Sequence, residues 1–315
     1  MVGQALKDGY RDRVYLATKC PSWLVNEEKD IYQFLDKQLE KLGTDHIDFY
    51  LLHGIGKDRL NDYRKWNYQK FFETVIKEGK VRRACFSFHD DYDAFIEIIN
   101  DYDWSMAQVQ FNYLDDENQA TLNGMREAGK RGIGVVVMEP LRGGALANPP
   151  GNVKELIESH PAKRSPVEWA FAYAAAFPEV KNILSGMSSM EQVEENLRIF
   201  KNMPVELTDS DMRFFKELKD AYLSRVKIGC TGCRYCQPCP HGVAIPDIFE
   251  AYDEAYQLLT FSHFNWVYNS WKEKDAFADK CVACGECERV CPQKIPIIKQ
   301  LADVARQHAA GKIAE

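Results

Sequence analysis

The sequence predicts an α/β protein with parallel strands, followed by a small cysteine-rich α domain. Two observations support this. Short β-branched runs alternate with amphipathic helical patterns through the first 225 residues, which is typical of parallel strands joined by crossover helices. Eight of the ten cysteines follow residue 229, so the composition changes abruptly after the helical pattern of residues 209–224. We therefore expect two domains, residues 1–225 and residues 226–315.

The alternation predicts six strands and six crossover helices. The predicted strands are 13–19, 47–53, 83–88, 106–112, 134–140 and 182–187. The predicted helices are 27–42, 68–79, 91–100, 116–131, 165–177 and 189–202. Residues near the carboxyl ends of the strands recur at intervals of 34, 34 and 30 residues: Lys19 to His53, His53 to Ser87, and Gln108 to Met138. This spacing favours a (β/α)8-type barrel, where chemistry lies at the carboxyl ends of the strands. A doubly wound sheet would need a glycine-rich turn after its first strand, which this sequence lacks.

Composition excludes several classes of function. The 315 residues are 45% hydrophobic and 28% charged, which is enough for a packed core. A net charge of −7 leaves no broad basic face, so we expect no nucleic-acid partner. No apolar run approaches the ~20 residues of a membrane span, and the first residues lack the layout of a signal peptide. We therefore expect a cytoplasmic protein with no membrane partner, whose cysteines are ligands rather than disulfides.

The clustered cysteines form two runs, C-x2-C-x2-C-x2-C-P and C-x2-C-x2-C-x3-C-P. The second is the ligand run of bacterial-type ferredoxins, in which the fourth cysteine reaches the other cluster. The runs therefore predict two 4Fe-4S clusters. If ligation crosses over, one cluster takes Cys230, Cys233, Cys236 and Cys291, and the other takes Cys281, Cys284, Cys287 and Cys239. Structural zinc remains the alternative, although it uses paired C-x2-C ligands and does not require a third cysteine in each run.

Six segments occur in an order that resembles a known family. They are VYLATK, DFYLLHG, FSFH, QVQFNYLD, MEPLRGG and SGMSSMEQVEEN. Together with the cysteine runs they resemble the aldo/keto reductases, in particular the bacterial branch with a fused C-terminal 4Fe-4S ferredoxin-like domain. The resemblance implies an oxidoreductase that uses NAD(P)H to reduce a small carbonyl substrate. It assigns Lys19 and His53 to the catalytic site.

The same resemblance implies a nicotinamide cofactor site. Ser87 and Gln108 match residues that hydrogen-bond the nicotinamide carboxamide, and Met138 matches a residue that packs on the ring. Residues after the last predicted strand match the remaining nucleotide contacts: Ser185 and Gly186 near a phosphate, and Glu195 and Asn196 near the adenine. Gln192 stands where NADP-preferring members often carry a basic residue, so both NADP and NAD stay open.

Relative to the family pattern, the sequence is truncated at its N-terminus. The pattern implies a partial barrel without the first two strands, and without the catalytic aspartate and tyrosine that those strands carry. We expect a late start codon or a truncated gene, with completion by a partner or loss of catalysis as alternatives. Loss of catalysis would leave an electron-transfer iron–sulfur protein that docks a redox protein partner. A purely structural metal domain is a third alternative.

Overall fold

The computed structural model describes residues 1–203 and 206–311 of the chain. The strands in this part are β1 Ala17–Cys20, β2 Ile47–Ile55, β3 Val81–Phe88, β4 Met106–Gln110, β5 Gly134–Met138 and β6 Val180–Ile183. The helices in the same residues are α1 Val2–Ala5, α2 Glu28–Leu42, α3 Lys57–Lys65, α4 Tyr68–Lys77, α5 Tyr92–Asp101, α6 Thr121–Lys130, α7 Gly151–Ser159, α8 Pro166–Ala175, α9 Met190–Asn202, α10 Asp209–Leu223, α11 Ile245–Leu258, α12 Phe261–Glu273, α13 Glu286–Val290 and α14 Ile297–Ala309.

The six strands form one sheet in chain order, and every neighbouring pair is parallel. Helices connect successive strands, as parallel pairing requires. Leu51, Cys85, Met106 and Val136, from β2 to β5, pack together as one buried layer of the sheet. Sequential parallel strands with a packed side-chain layer are the architecture of a (β/α)8 barrel. The prediction of a partial barrel is therefore confirmed, with six strands present in the described residues.

The limits of strands and helices differ from the predicted ones where polar hydrogen bonds, rather than the burial of apolar residues, decide the local structure. The first strand begins at Ala17 rather than residue 13, because Arg11–Arg13 form a 3-10 turn. The Arg11 guanidinium holds this turn by donating to Thr44 Oγ1 and Asp48 Oδ2, at 3.0 and 2.9 Å. The helix α3 was not predicted, since its sequence KDRLNDYRK buries only two residues, Leu60 and Tyr63.

The chain divides into two compact units. One comprises residues 1–142 and 168–207, and the other comprises residues 143–167 and 208–315. The predicted domain limits of 1–225 and 226–315 follow the sequence pattern and stay a prediction. The second unit has its own apolar core, to which α11, α12 and α14 contribute Ile248, Phe249, Tyr252, Phe264, Tyr268, Leu301 and Val304. Within residues 1–203 and 206–311, every helix is too short or too polar to cross a membrane.

Asp48 holds the amino end of the sheet together. Its buried carboxylate accepts from the backbone N–H of Leu16 at 2.8 Å and from the guanidinium groups of Arg11 and Arg82 at 2.9 and 2.7 Å. Burial alone would raise the pKa of Asp48, but the Leu16 N–H and the Arg11 guanidinium outweigh it and hold the pKa below its usual 3.8.

Replacing Asp48 by asparagine is expected to lower the free energy of unfolding by roughly 3 kcal/mol, because it leaves buried guanidinium charge without its anion. Chemical denaturation followed by circular dichroism measures this, with exposed Asp45→Asn as the control. A carboxyl with a lowered pKa stabilises the fold above pH 3.8 and loses that effect as the pH falls through its folded pKa. The difference in free energy of unfolding between wild type and variant should therefore disappear in that acidic range. Equal stability at neutral pH would contradict the assignment.

Candidate functional site

Lys19 and His53 lie near the carboxyl ends of β1 and β2, where the sequence places them. Both side chains are half-buried. Burial lowers the pKa of Lys19, and burial followed by the charges of Lys19 and His89 lowers the pKa of His53 below 6.5. His53 is therefore a neutral imidazole at pH 7, with an ammonium group nearby. A neutral imidazole can donate an N–H to a carbonyl oxygen without giving up a full proton.

Two neighbours of His53 were not predicted. The Trp23 ring lies 5.0 Å from the His53 ring, centroid to centroid, and belongs to the 3-10 turn Ser22–Leu24 that follows β1. Ser22 Oγ donates to the His53 carbonyl oxygen at 2.6 Å and ties this turn to β2. His89 follows β3 directly and acts electrostatically on His53. Their position in the sequence could have indicated a place at the site, because both Trp23 and His89 come just after strands whose carboxyl ends carry site residues.

The site residues form a row that starts with Lys19 on β1 and His53 on β2. The row continues on β3, β4 and β5 with Ser87, Gln108 and Met138. Ser87 accepts from the backbone N–H of Gly54, the residue after His53, at 2.8 Å. Ser87 is in register with Gln108, whose Nε2 donates to Met138 Sδ at 3.0 Å. Both polar side chains are buried. The structure thus brings these three residues together beside His53, and the row offers hydroxyl and amide groups next to an apolar thioether.

A buried network behind the row fixes the loops after β4 and β5. Asp115 accepts from Gln110 Nε2, Asn112 Nδ2 and Arg142 Nη1, each at 3.0 Å. Asn112 Nδ2 also donates to the carbonyl oxygen of Glu139, the residue after Met138, at 3.0 Å. Only Gln110, Asn112 and Asp115 are close in sequence, so the sequence pattern alone did not reveal the network. It anchors the backbone of Glu139, directly after Met138.

The predicted nucleotide residues gather around the start of α9. Ser189 caps this helix, and Gln192 Oε1 accepts from the backbone N–H of Ser188 at 2.7 Å. Asn196 Nδ2 donates to Ser185 Oγ at 2.9 Å, which ties the loop containing Gly186 to the helix. Ser185 and Asn196 line a cavity of about 530 Å³ between β6 and α9. Glu195 is half-buried on the same helix. A helix N-terminus faces this loop, which suits a phosphate.

Three cysteines of the first run meet the last cysteine of the second. Cys230, Cys233, Cys236 and Cys291 line a single cavity, whose remaining wall includes Ile245, Phe249, Ile295 and Ile297. Burial raises the pKa of both Cys230 and Cys236, and the neighbouring cysteines raise it further. Thiols that resist ionisation in this way become thiolates when a cation neutralises them. The residues present therefore fit an iron–sulfur cluster in this cavity.

The other four cysteines lie in the same unit. Cys239, Cys281 and Cys287 are partly buried and pack against the core of the second unit, whereas Cys284 is exposed. Burial, followed by the nearby Cys281, raises the pKa of Cys287 to about 11. Among the residues that the structure describes, no three His, Cys, Asp or Glu side chains are grouped to hold a single metal ion. A four-iron cluster needs no such group, because each thiolate binds a separate iron.

Family models match both parts of the chain. The aldo/keto reductase family matches residues 1–220, and a 4Fe-4S dicluster domain matches residues 229–296. Solved structures agree on the fold. An aldo-keto reductase, AKR11C1 from Bacillus halodurans (holo form), aligns with a TM-score of 0.58 and 27% identity, covering 69% of this chain and 75% of that one.

Two curated relatives come from Escherichia coli. The NADH-specific methylglyoxal reductase is 24% identical over 270 residues, 70% of this chain and 79% of the relative. The methylglyoxal reductase YeaE is 34% identical over 83 residues, only 26% of this chain and 27% of the relative. The extent of the family match settles membership. This chain belongs to the aldo/keto reductase family and carries a C-terminal 4Fe-4S dicluster domain.

Proposed function

We propose that the protein reduces a small carbonyl compound with NAD(P)H at the carboxyl ends of β1 to β5. The row of side chains from Lys19 through His53, Ser87 and Gln108 to Met138 is the observation that carries this proposal. The row combines a cation, a neutral imidazole, polar groups for an amide and an apolar thioether. Those groups are the ones that carbonyl polarisation and nicotinamide binding require.

Each side chain has a distinct task. His53 donates a hydrogen bond from an imidazole N–H to the substrate oxygen, and the Lys19 ammonium favours the negative charge that develops there. The proton that completes the alcohol comes from water, which reaches these half-buried side chains. Ser87 and Gln108 would hold the nicotinamide carboxamide, and Met138 would pack on the ring. The bound nucleotide supplies a hydride. The exposed Trp23 ring packs against the His53 ring and shields part of it from water.

The two cysteine sets of the crossed arrangement hold two 4Fe-4S clusters in this proposal. The cavity shared by Cys291 and the first run supports it. Such clusters exchange single electrons, whereas carbonyl reduction moves a pair as hydride. The clusters therefore serve a redox protein partner or stabilise the second unit. Cysteines that serve as cluster ligands rather than disulfides suit the cytoplasm.

Steady-state assays of the anaerobically purified holoprotein test the proposed activity. Methylglyoxal is the first substrate to try, because two relatives carry it in their names. We expect NAD(P)H oxidation that depends on methylglyoxal or on another small aldehyde or ketone of a panel. A protein that binds neither nucleotide and turns over no carbonyl, while dithionite reduces its clusters, would instead be an electron-transfer protein.

Gln192 is proposed to lie near the ribose of the bound nucleotide, at the start of α9. Gln192→Arg is expected to raise the preference for NADPH over NADH by roughly 10-fold, because a guanidinium can pair with the additional phosphate. Fluorescence titration with each nucleotide gives the ratio of dissociation constants. Asn202→Arg places the same charge at the other end of the helix and is expected to leave the ratio unchanged. An unchanged ratio in Gln192→Arg would place the ribose elsewhere.

A further inference from the structure

Asp253, in the middle of α11, is a buried carboxylate bound to the backbone just before the first cysteine run. Its Oδ1 accepts the N–H groups of Lys227 and Ile228 at 2.9 and 2.8 Å, and its Oδ2 accepts the N–H of Gly229 at 2.9 Å. The residue is 8% exposed. One carboxylate thus fixes three successive amides, and the next residue along the chain is Cys230.

The same segment is attached to α11 at a second point. Arg225 Nε donates to the carbonyl oxygen of Tyr256 at 2.9 Å, and the Lys227 ammonium lies 4.7 Å from the centre of the Tyr256 ring. Gly229 adopts a φ of +71°, a conformation that a residue with a Cβ rarely takes. This turn sets the direction in which the chain continues to Cys230. The segment therefore enters the cysteine cavity along one fixed path.

Two physical effects follow for a cluster in that cavity. Amides that donate to Asp253 are unavailable to the cluster sulfurs, and hydrogen bonds to sulfur are one of the factors that set cluster potentials. A buried negative charge close to Cys230 also disfavours the electron that reduction adds, since the interior screens charge poorly. Both effects favour the oxidised cluster.

We infer that Asp253 is a positioning residue that orients Cys230 and lowers the reduction potential of the cluster held by Cys230, Cys233, Cys236 and Cys291. This rests on the ligand set proposed above. The role differs from simple stabilisation of the fold, because it affects one cluster of the two and changes a potential.

Asp253→Asn keeps the shape of the side chain and removes its charge. Redox titration of the anaerobic holoprotein, monitored by electron paramagnetic resonance, is expected to show a higher midpoint potential for one cluster and an unchanged potential for the other. Iron release to a chelator from that cluster should be roughly 10-fold faster, as is typical when a residue supporting a metal ligand is lost. Cys233→Ala identifies the affected signal. Glu250→Gln, which removes an exposed charge from the same helix, is the control and should change neither property.

The possible outcomes distinguish a failure of the role of Asp253 from a failure of the proposed ligand set. Wild-type potentials and release rates in folded Asp253→Asn would overturn the role of Asp253. A wild-type protein with no iron and sulfide would instead overturn the ligand set. If Asp253→Asn does not fold, Asp253→Glu takes its place, because it keeps the charge and moves the carboxylate. In Asp253→Glu, faster iron release from just one of the two clusters supports the inference, and a wild-type release rate overturns it.

Discussion

Replacing Cys291 by alanine is expected to destroy the cluster of the first cysteine run and to spare the cluster of its own run. Cys291 is 7% exposed and lines the cavity that contains Cys230, Cys233 and Cys236. The loss of one thiolate from such a buried site leaves an iron without its ligand. Iron and sulfide per chain should fall to about half. Cys85→Ala, which removes a buried thiol from β3, is expected to leave both clusters intact.

A double variant distinguishes crossed from uncrossed ligation. In the crossed arrangement Cys233 and Cys291 serve the same cluster, so Cys233→Ala combined with Cys291→Ala should retain as much iron as either single variant. In the uncrossed arrangement each change damages a different cluster. Loss of both clusters in the double variant would therefore contradict the crossed ligand set, even if each single variant behaved as expected.

Replacing His53 by phenylalanine is expected to reduce kcat/KM for carbonyl reduction by roughly 10²–10³-fold, the effect of removing one donor to a developing oxyanion. Phenylalanine keeps an aromatic ring against Trp23, so the local packing is largely preserved. His46→Gln is the matched control, because His46 directly precedes β2, at the end of the strand opposite to His53. Undiminished kcat/KM in His53→Phe would remove the imidazole from the proposed mechanism.

The pH dependence gives a second test of His53. Burial and the Lys19 charge lower the pKa of the imidazole below 6.5, so the wild-type rate should hold through that pH and fall only in more acidic solution. Lys19→Met removes the charge that disfavours the imidazolium, so the pH at which the rate falls should rise toward 6.5. An acid limb that does not move would mean that Lys19 lies too far from His53 to act on it.

The hydrophobic pattern predicted the strands well where they are buried on both faces. β2 and β3 begin or end within two residues of the predicted limits, because parallel strands in a covered sheet are almost continuously apolar. The pattern failed where polar contacts decide the structure. Val14 and Tyr15 look like strand residues, yet both are exposed beside the turn that Arg11 and Asp48 hold.

Some residues of the candidate sites could likewise be predicted from the sequence, and others could not. The cysteines could be named from the spacing of their ligand runs, and Lys19 and His53 from the family resemblance, which places them at strand ends. Asp253 could not, because it acts on amides 24 to 26 residues away and its helix position reads as an ordinary polar residue. Trp23 is similar, since its ring meets His53 only when the turn after β1 folds back over β2.

Isotope transfer tests the central claim most directly. The holoprotein is given NAD(P)H deuterated at the hydride-donating carbon, together with methylglyoxal or the best carbonyl of the panel, and the alcohol is analysed by mass spectrometry. Direct reduction in the barrel predicts one deuterium on the carbon that was the carbonyl carbon. An alcohol without deuterium would contradict the account, because its electrons would have reached the substrate by another route, such as the clusters.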